Sequence, residues 1–132
     1  SEEMLHIMQA VDALAKMTGQ LHKKFPLPFP LRIGAGLNTG YAMVGNTGTG
    51  EHPDYTAIGD TVNSAFRFES STKQLGLDVA VGETTYEYLM RMQGTDELFH
   101  RYAVNMKGYD NPTVAHATTF SDLERFIHLQ NP

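Results

Sequence analysis

The sequence predicts an α+β fold, with helices packed on an antiparallel or mixed sheet. Three observations carry this. Segments with the 3.6-residue period of a helix interleave with short segments that alternate every second residue. Two of the short segments lie close together around a Thr-Gly turn, which reads as a hairpin and excludes a purely parallel doubly wound sheet. The 132 residues are 41 % apolar and 19 % charged, a composition that fits one small packed domain and argues against disorder or a coiled coil.

Residues 1–22 read as the first helix. Met4, Met8, Val11 and Ala15 recur at spacings of three and four, with Leu5 and Leu14 on the flanks. Ser1 is a plausible N-cap, and Glu2 and Glu3 suit the positive end of the helix dipole. Pro26, Pro28 and Pro30 then stop the helix and leave an extended connector, which could alternatively serve as a polyproline ligand.

Residues 31–38 alternate strictly. Leu31, Ile33, Ala35 and Leu37 share one face; Arg32, Gly34, Gly36 and Asn38 share the other. Two glycines on one face leave it bare, so a helix, a backbone or a ligand must approach closely there. Thr39-Gly40 reads as a turn and residues 41–45 as the hairpin partner, followed by the small polar loop 46–50.

Residues 54–58 form a short strand. Gly59-Asp60 breaks it and opens a helix to about Lys73, capped by Asp60 or Thr61. Val62, Ala65, Phe66 and Glu69 fall on one stripe of that helix, with Asn63 and Arg67 together on another. A strand at 77–81, a helix at 83–92 carrying Tyr86, Leu89 and Met90 on one face, strands at 98–106 and 113–119, and a terminal helix capped at Ser121 complete the order.

Several function classes are excluded. With a net charge of -5, the chain lacks the basic field a general nucleic-acid binder needs. No apolar run approaches the ~20 residues that cross a bilayer. There are no cysteines, so disulfides and thiolate chemistry are absent; this fits a reducing compartment, and a cytoplasmic location is the expectation, with attachment of a larger parent to a membrane left open. Gly34, Gly36 and Gly40 nearly form a dinucleotide-binding fingerprint, but a strand follows them where that motif needs a helix N-terminus. The six histidines show no zinc spacing, and Asp54, Asp60, Asp78 and Asp110 stand singly beside turns and helix starts, where caps and turns explain them.

The informative segment is DYTAIGDTVNSAFRFES, residues 54–70. A strand runs directly into a helix whose first turns present an amide, Asn63, and a guanidinium, Arg67, side by side. An always-charged planar fork beside an amide suits a ribose–phosphate group, although a surface Asn and Arg sharing a face would look the same.

The whole string resembles the class III nucleotidyl cyclase catalytic domain, the family of adenylyl and guanylyl cyclases. The resemblance begins at LRIGAGLNTGYAMVGNTG (31–48), runs through YTAIGDTVNSAFRFES and reaches VNMKGYDNP (104–112). It implies a ferredoxin-like-derived sheet with helices packed on it. It also implies roles. Asn63 would orient the ribose and Arg67 would stabilise charge at the α-phosphate. Lys107 would grip the terminal phosphates, Arg32 would reach a phosphate from the partner subunit, and Thr56 would read the purine edge. Threonine there favours ATP over GTP.

The implied reaction makes a 3′,5′-cyclic monophosphate and pyrophosphate from a purine nucleoside triphosphate, at the interface of a head-to-tail homodimer. The family uses two divalent ions, Mg²⁺ or Mn²⁺, held by two aspartates. Those aspartates would lie upstream of Ser1, with the first strands of the sheet. Residues 1–132 are therefore expected to be the C-terminal part of a single catalytic domain, incomplete alone. The alternative is a non-catalytic nucleotide-binding or dimerisation module of the same fold. Two departures stand out: Asn38, where histidine is common in the family, is expected to affect local hydrogen bonding, and Phe66, where a small residue is usual, is expected to pack on a neighbouring helix.

Overall fold

The structure, a computed structural model, describes residues 2–25, 28, 32–46, 50, 55–105 and 110–131. The element order is α1 (Glu2–Lys24), β1 (Ala35–Leu37), β2 (Met43–Asn46), β3 (Tyr55–Ile58), α2 (Asp60–Leu75), β4 (Val79–Val81), α3 (Glu83–Leu89), α4 (Thr95–Leu98), β5 (His100–Val104), β6 (Thr113–Thr118) and α5 (Phe120–Gln130). Four strands form a mixed sheet in the order β1-β4-β6-β5, and β2 and β3 form a separate two-stranded ribbon. The α+β class with a mixed sheet follows the sequence reading.

Strand alternation sorts the core onto two faces of the sheet. Val79 and Val81 of β4 join Met8 and Val11 of α1, Leu89, Leu98, Phe99, and Leu123 and Phe126 of α5. Ala80, between the two valines, points the other way and joins Ala115, Ala117, Val104 and Phe68 of α2. The second face is lined by small residues, which lets α2 lie close.

The bare face of β1 is where this matters most. A Cβ on Gly36 would collide with the Ala65 carbonyl and the Glu69 amide and sit 2.8 Å from the Glu69 Cα. A Cβ on Gly34 would strike the Thr72 hydroxyl. The element that the two glycines admit is therefore α2, by its backbone at Gly36 and by the Thr72 side chain at Gly34. β1 runs antiparallel to that helix, with Gly34 beside Thr72, Gly36 beside Ala65 and Gly40 beside Thr61.

The expected hairpin of residues 31–38 with 41–45 does not form. β1 pairs in parallel with β4, Ala35 opposite Val79, and β2 pairs antiparallel with β3, Met43 opposite Ile58. Side chains explain the switch. Asn38 Nδ2 donates to the Thr61 carbonyl at 3.0 Å, and Thr61 Oγ1 donates to the Tyr41 carbonyl at 2.7 Å. These bonds pin the chain after β1 to the first turn of α2, so the next strand leaves the plane of the sheet.

Both expected caps move. Gly59, at φ 135°, is the N-cap of α2 and has no side chain to cap with, which puts Asp60 and Thr61 inside the helix. Thr119 rather than Ser121 caps α5, accepting from the Asp122 amide at 3.1 Å. The helix expected over 83–92 stops at Leu89, which leaves Met90 exposed rather than on an apolar face. A turn through Gly94, at φ 79°, then starts the short α4, with the buried Thr95 hydroxyl bonded back toward the Met92 carbonyl at 3.1 Å. Ser1 lies outside the described residues.

His116 of β6 is buried and stacks flat on Tyr86 of α3, with ring centroids 3.7 Å apart and planes 5° from parallel. It stands opposite Arg101 on β5 and Val81 on β4. Burial holds its imidazole below the usual 6.5, Glu83 opposes that shift, and Arg101 adds to it. The unfolded chain therefore takes up this proton more readily than the folded one. The contribution of a neutral His116 to stability is present in full above the ordinary histidine value of 6.5 and is lost as the pH falls below it. A His116→Phe variant keeps a flat ring on Tyr86 and should narrow the gap in melting temperature between pH 5 and pH 7.5. An unchanged gap would assign the pH dependence to other groups.

Candidate functional site

The site is built at the junction of β3 and α2. Gly59 turns the strand into the helix, and the Asn63 amide closes the first helical bond on the Gly59 carbonyl at 3.0 Å. Asn63 is exposed and Arg67, one turn later, is half-buried. Thr56 stands opposite Gly45 in the β2–β3 register; its backbone alone falls within the description. Lys107 and its neighbours 106–109 lie outside the described residues.

Arg32 sits elsewhere. Its Nη2 donates to the Leu77 carbonyl at 2.8 Å and lies 3.5 Å from Asp78 Oδ1. Leu77 follows the C-terminus of α2, whereas Asn63 and Arg67 occupy its N-terminal half. The axis from Asn63 to Leu75 spans about 18 Å at 1.5 Å per residue. One chain thus brings Asn63 and Arg67 together and keeps Arg32 at the other end of the helix.

Two further expectations concern this helix. Asn38 does act locally, through its bond to the Thr61 carbonyl. Phe66 does not pack on a neighbouring helix: it is 68 % exposed, beside an apolar cavity of about 290 Å³ that Gly36, Val62, Ala65 and Glu69 also line. The stripe it belongs to is half open, because nothing described covers that side of α2.

Asp78, expected to be a cap or turn residue, serves a helix end far along the chain: its Oδ2 accepts from the Phe120 amide at 2.8 Å, at the start of α5, while Oδ1 faces Arg32. Nothing in the local sequence marks that pairing, since its partners are far away in the chain. Among the described residues no cluster of three or more His, Asp or Glu side chains could hold a metal ion. No helix among them is long and apolar enough to cross a membrane.

The family model for the adenylate and guanylate cyclase catalytic domain matches residues 2–122. The chain belongs to this family. The cyclase domain is 30 % identical over 104 residues to an adenylate cyclase of Anabaena cylindrica, covering 79 % of this chain and 20 % of that protein. It is 34 % identical over 94 residues to the receptor-type guanylate cyclase gcy-28 of Caenorhabditis elegans, covering 71 % of this chain and 7 % of that protein. Among solved structures, the adenylyl cyclase CyaB from P. aeruginosa aligns with a TM-score of 0.58 at 26 % identity, over 80 % of this chain and 54 % of that one. The guanylyl cyclase Cya2 aligns at 0.56 and 26 %, over 86 % of this chain and 52 % of that one. The cyclase domain thus spans about half of these crystallised chains and a fifth or less of the two longer relatives.

Proposed function

We propose that this chain supplies the nucleotide-positioning part of a nucleotidyl cyclase, with ATP as the favoured substrate. The observation that carries the reading is the strand–glycine–helix junction that puts Asn63 and Arg67 one turn apart at the start of α2, in a chain of the cyclase family. In the reaction the ribose 3′-oxygen attacks the α-phosphorus of the same nucleotide. The new P–O bond closes the ring, the bond to the β-phosphate breaks, pyrophosphate leaves, and the 3′-hydroxyl proton passes to solvent or a base.

Asn63 carries both a donor and an acceptor and holds the ribose so that its oxygen faces the phosphorus. Arg67 donates in a fixed fork to the oxygens on which negative charge builds. Lys107 and Arg32 neutralise the outer phosphates, Arg32 from the second copy of a head-to-tail homodimer; its place at the far end of α2 from Asn63 supports a contribution in trans. Thr56 meets the purine edge. Mg²⁺ or Mn²⁺ would be held by acidic residues outside the described part of this chain and would assist the nucleophile and the leaving group when bound. We place the domain in the cytoplasm.

GTP is the alternative substrate, because guanylate cyclases stand among the relatives beside adenylate cyclases. The test assays a complete dimeric domain containing this chain with ATP and GTP in parallel, each with Mg²⁺ and Mn²⁺. Cyclic AMP formed faster than cyclic GTP is expected. The reverse preference reassigns the substrate, and nucleotide binding without turnover identifies a non-catalytic module.

A further inference from the structure

Asp78 divides its two carboxylate oxygens between a helix and a cation. Oδ2 accepts from the Phe120 amide at 2.8 Å, while Oδ1 lies 3.5 Å from Arg32 Nη2. The main chain of Asp78 is itself tied on both sides, its carbonyl accepting from the Ala35 amide at 2.8 Å and its amide donating to the Thr118 carbonyl at 3.0 Å. Three elements, β1, β6 and α5, thus fix the aspartate. Arg32 is different: its side chain is 52 % exposed and forms a wall of an open cavity of about 290 Å³, with Gly34, Glu69, Thr72 and Lys73. A half-exposed cation rests against a fixed anion.

We propose that Asp78 is a positioning residue that parks Arg32 against Leu77 and itself, so that a polyphosphate engages Arg32 only by displacing that contact. This rests on the reading of Arg32 as a phosphate-binding residue. Arg32 is always charged and keeps its planar fork, so it can exchange one oxyanion for another without any change of protonation. The approach to Asp78 is a single donor at a long distance, not a bidentate pair, and the other tie is one hydrogen bond to the Leu77 carbonyl, so the parked arrangement is weak enough for a polyphosphate to displace. Because only the unparked fraction of Arg32 is ready to bind, parking lowers the apparent affinity for phosphate by that fraction.

The Asp78→Asn variant keeps a carbonyl oxygen for the Phe120 amide and removes the charge that holds Arg32. Asp78→Ser does the same with a hydroxyl, should the first variant fold poorly. The probe is inorganic pyrophosphate, titrated into a complete dimeric domain containing this chain while the Arg32 Nε–Hε resonance is followed. Either variant is expected to tighten pyrophosphate binding about two- to fivefold, and that gain should vanish when Arg32→Ala is added. Tightening that persists without Arg32 is a general charge effect and overturns the proposal. Arg32-dependent binding that Asp78→Asn leaves unchanged also overturns it, while leaving the phosphate-binding role of Arg32 intact. Binding that Arg32→Ala does not weaken overturns both.

Discussion

Replacing Gly36 with alanine is expected to lower the melting temperature by about 10 °C. The added methyl group has nowhere to go, because the atoms it meets are the Ala65 carbonyl, the Glu69 amide and the Glu69 Cα, all of them backbone of α2. Side chains yield by changing rotamer; a helix backbone yields only by moving as a unit. Overpacking of this kind typically costs about 1–3 kcal/mol, and a clash with backbone on one helix face belongs at the upper end. Two companion variants grade the argument. Gly34→Ala meets the Thr72 side chain, whose hydroxyl can swing away, and should be milder. Gly19→Ala, inside α1 with nothing within 4 Å, should stabilise by up to about 1 kcal/mol through helix propensity alone. Thermal unfolding of the three variants side by side checks the order. A Gly36→Ala protein within 2 °C of the parent would show that β1 and α2 are not packed backbone to backbone.

The Gly36 contact was legible from sequence because alternation is local. Once residues 31–38 alternate, the two glycines must share a face, and something must approach it. The partner of β1 was not legible. A Thr-Gly pair between two apolar segments signals a hairpin, but the outcome depended on Asn38 and Thr61, whose bonds join positions 23 residues apart. The missed cap has a different cause: α2 begins earlier than a side-chain cap at Asp60 or Thr61 requires, with Gly59 at the N-cap. The terminal cap slipped by two residues because Thr119 and Ser121 are both good caps, and only the sheet end at Thr118 decides between them.

At the site, the shared face of Asn63 and Arg67 followed from the i, i+4 spacing. Their place beside a strand end followed from Gly59. The contact of Arg32 with Leu77 and Asp78 had no sequence signal, since parallel pairing of β1 with β4 creates it. The stack of His116 on Tyr86 is of the same kind, built when α3 docks on β6. Local periodicity thus located the helix that carries Asn63 and Arg67, whereas the contacts that couple it to the sheet arise only from long-range register.

Arg67→Ala is expected to lower kcat of a complete domain containing this chain about 10²–10³-fold with little change in KM. The reason lies in when the charge appears. In the bound nucleotide the α-phosphate carries its ordinary charge, which water also serves well. As the 3′-oxygen closes on phosphorus and pyrophosphate begins to leave, charge spreads onto oxygens that a pre-placed guanidinium meets without reorganisation. An interaction strongest at that point raises kcat rather than affinity. Arg67 is suited to this by its place on α2, half-buried and one turn beyond Asn63, where the helix fixes its backbone. Arg67→Lys should recover only part of the loss, since an ammonium keeps the charge but not the planar fork. Asn63→Ala should also lower kcat, through a misplaced ribose rather than lost charge, so the double variant should be less impaired than the product of the two single effects. A matched melting temperature for each variant separates these effects from unfolding. Should Arg67→Ala keep kcat within threefold of the parent, the α-phosphate role would pass from Arg67 to another cation.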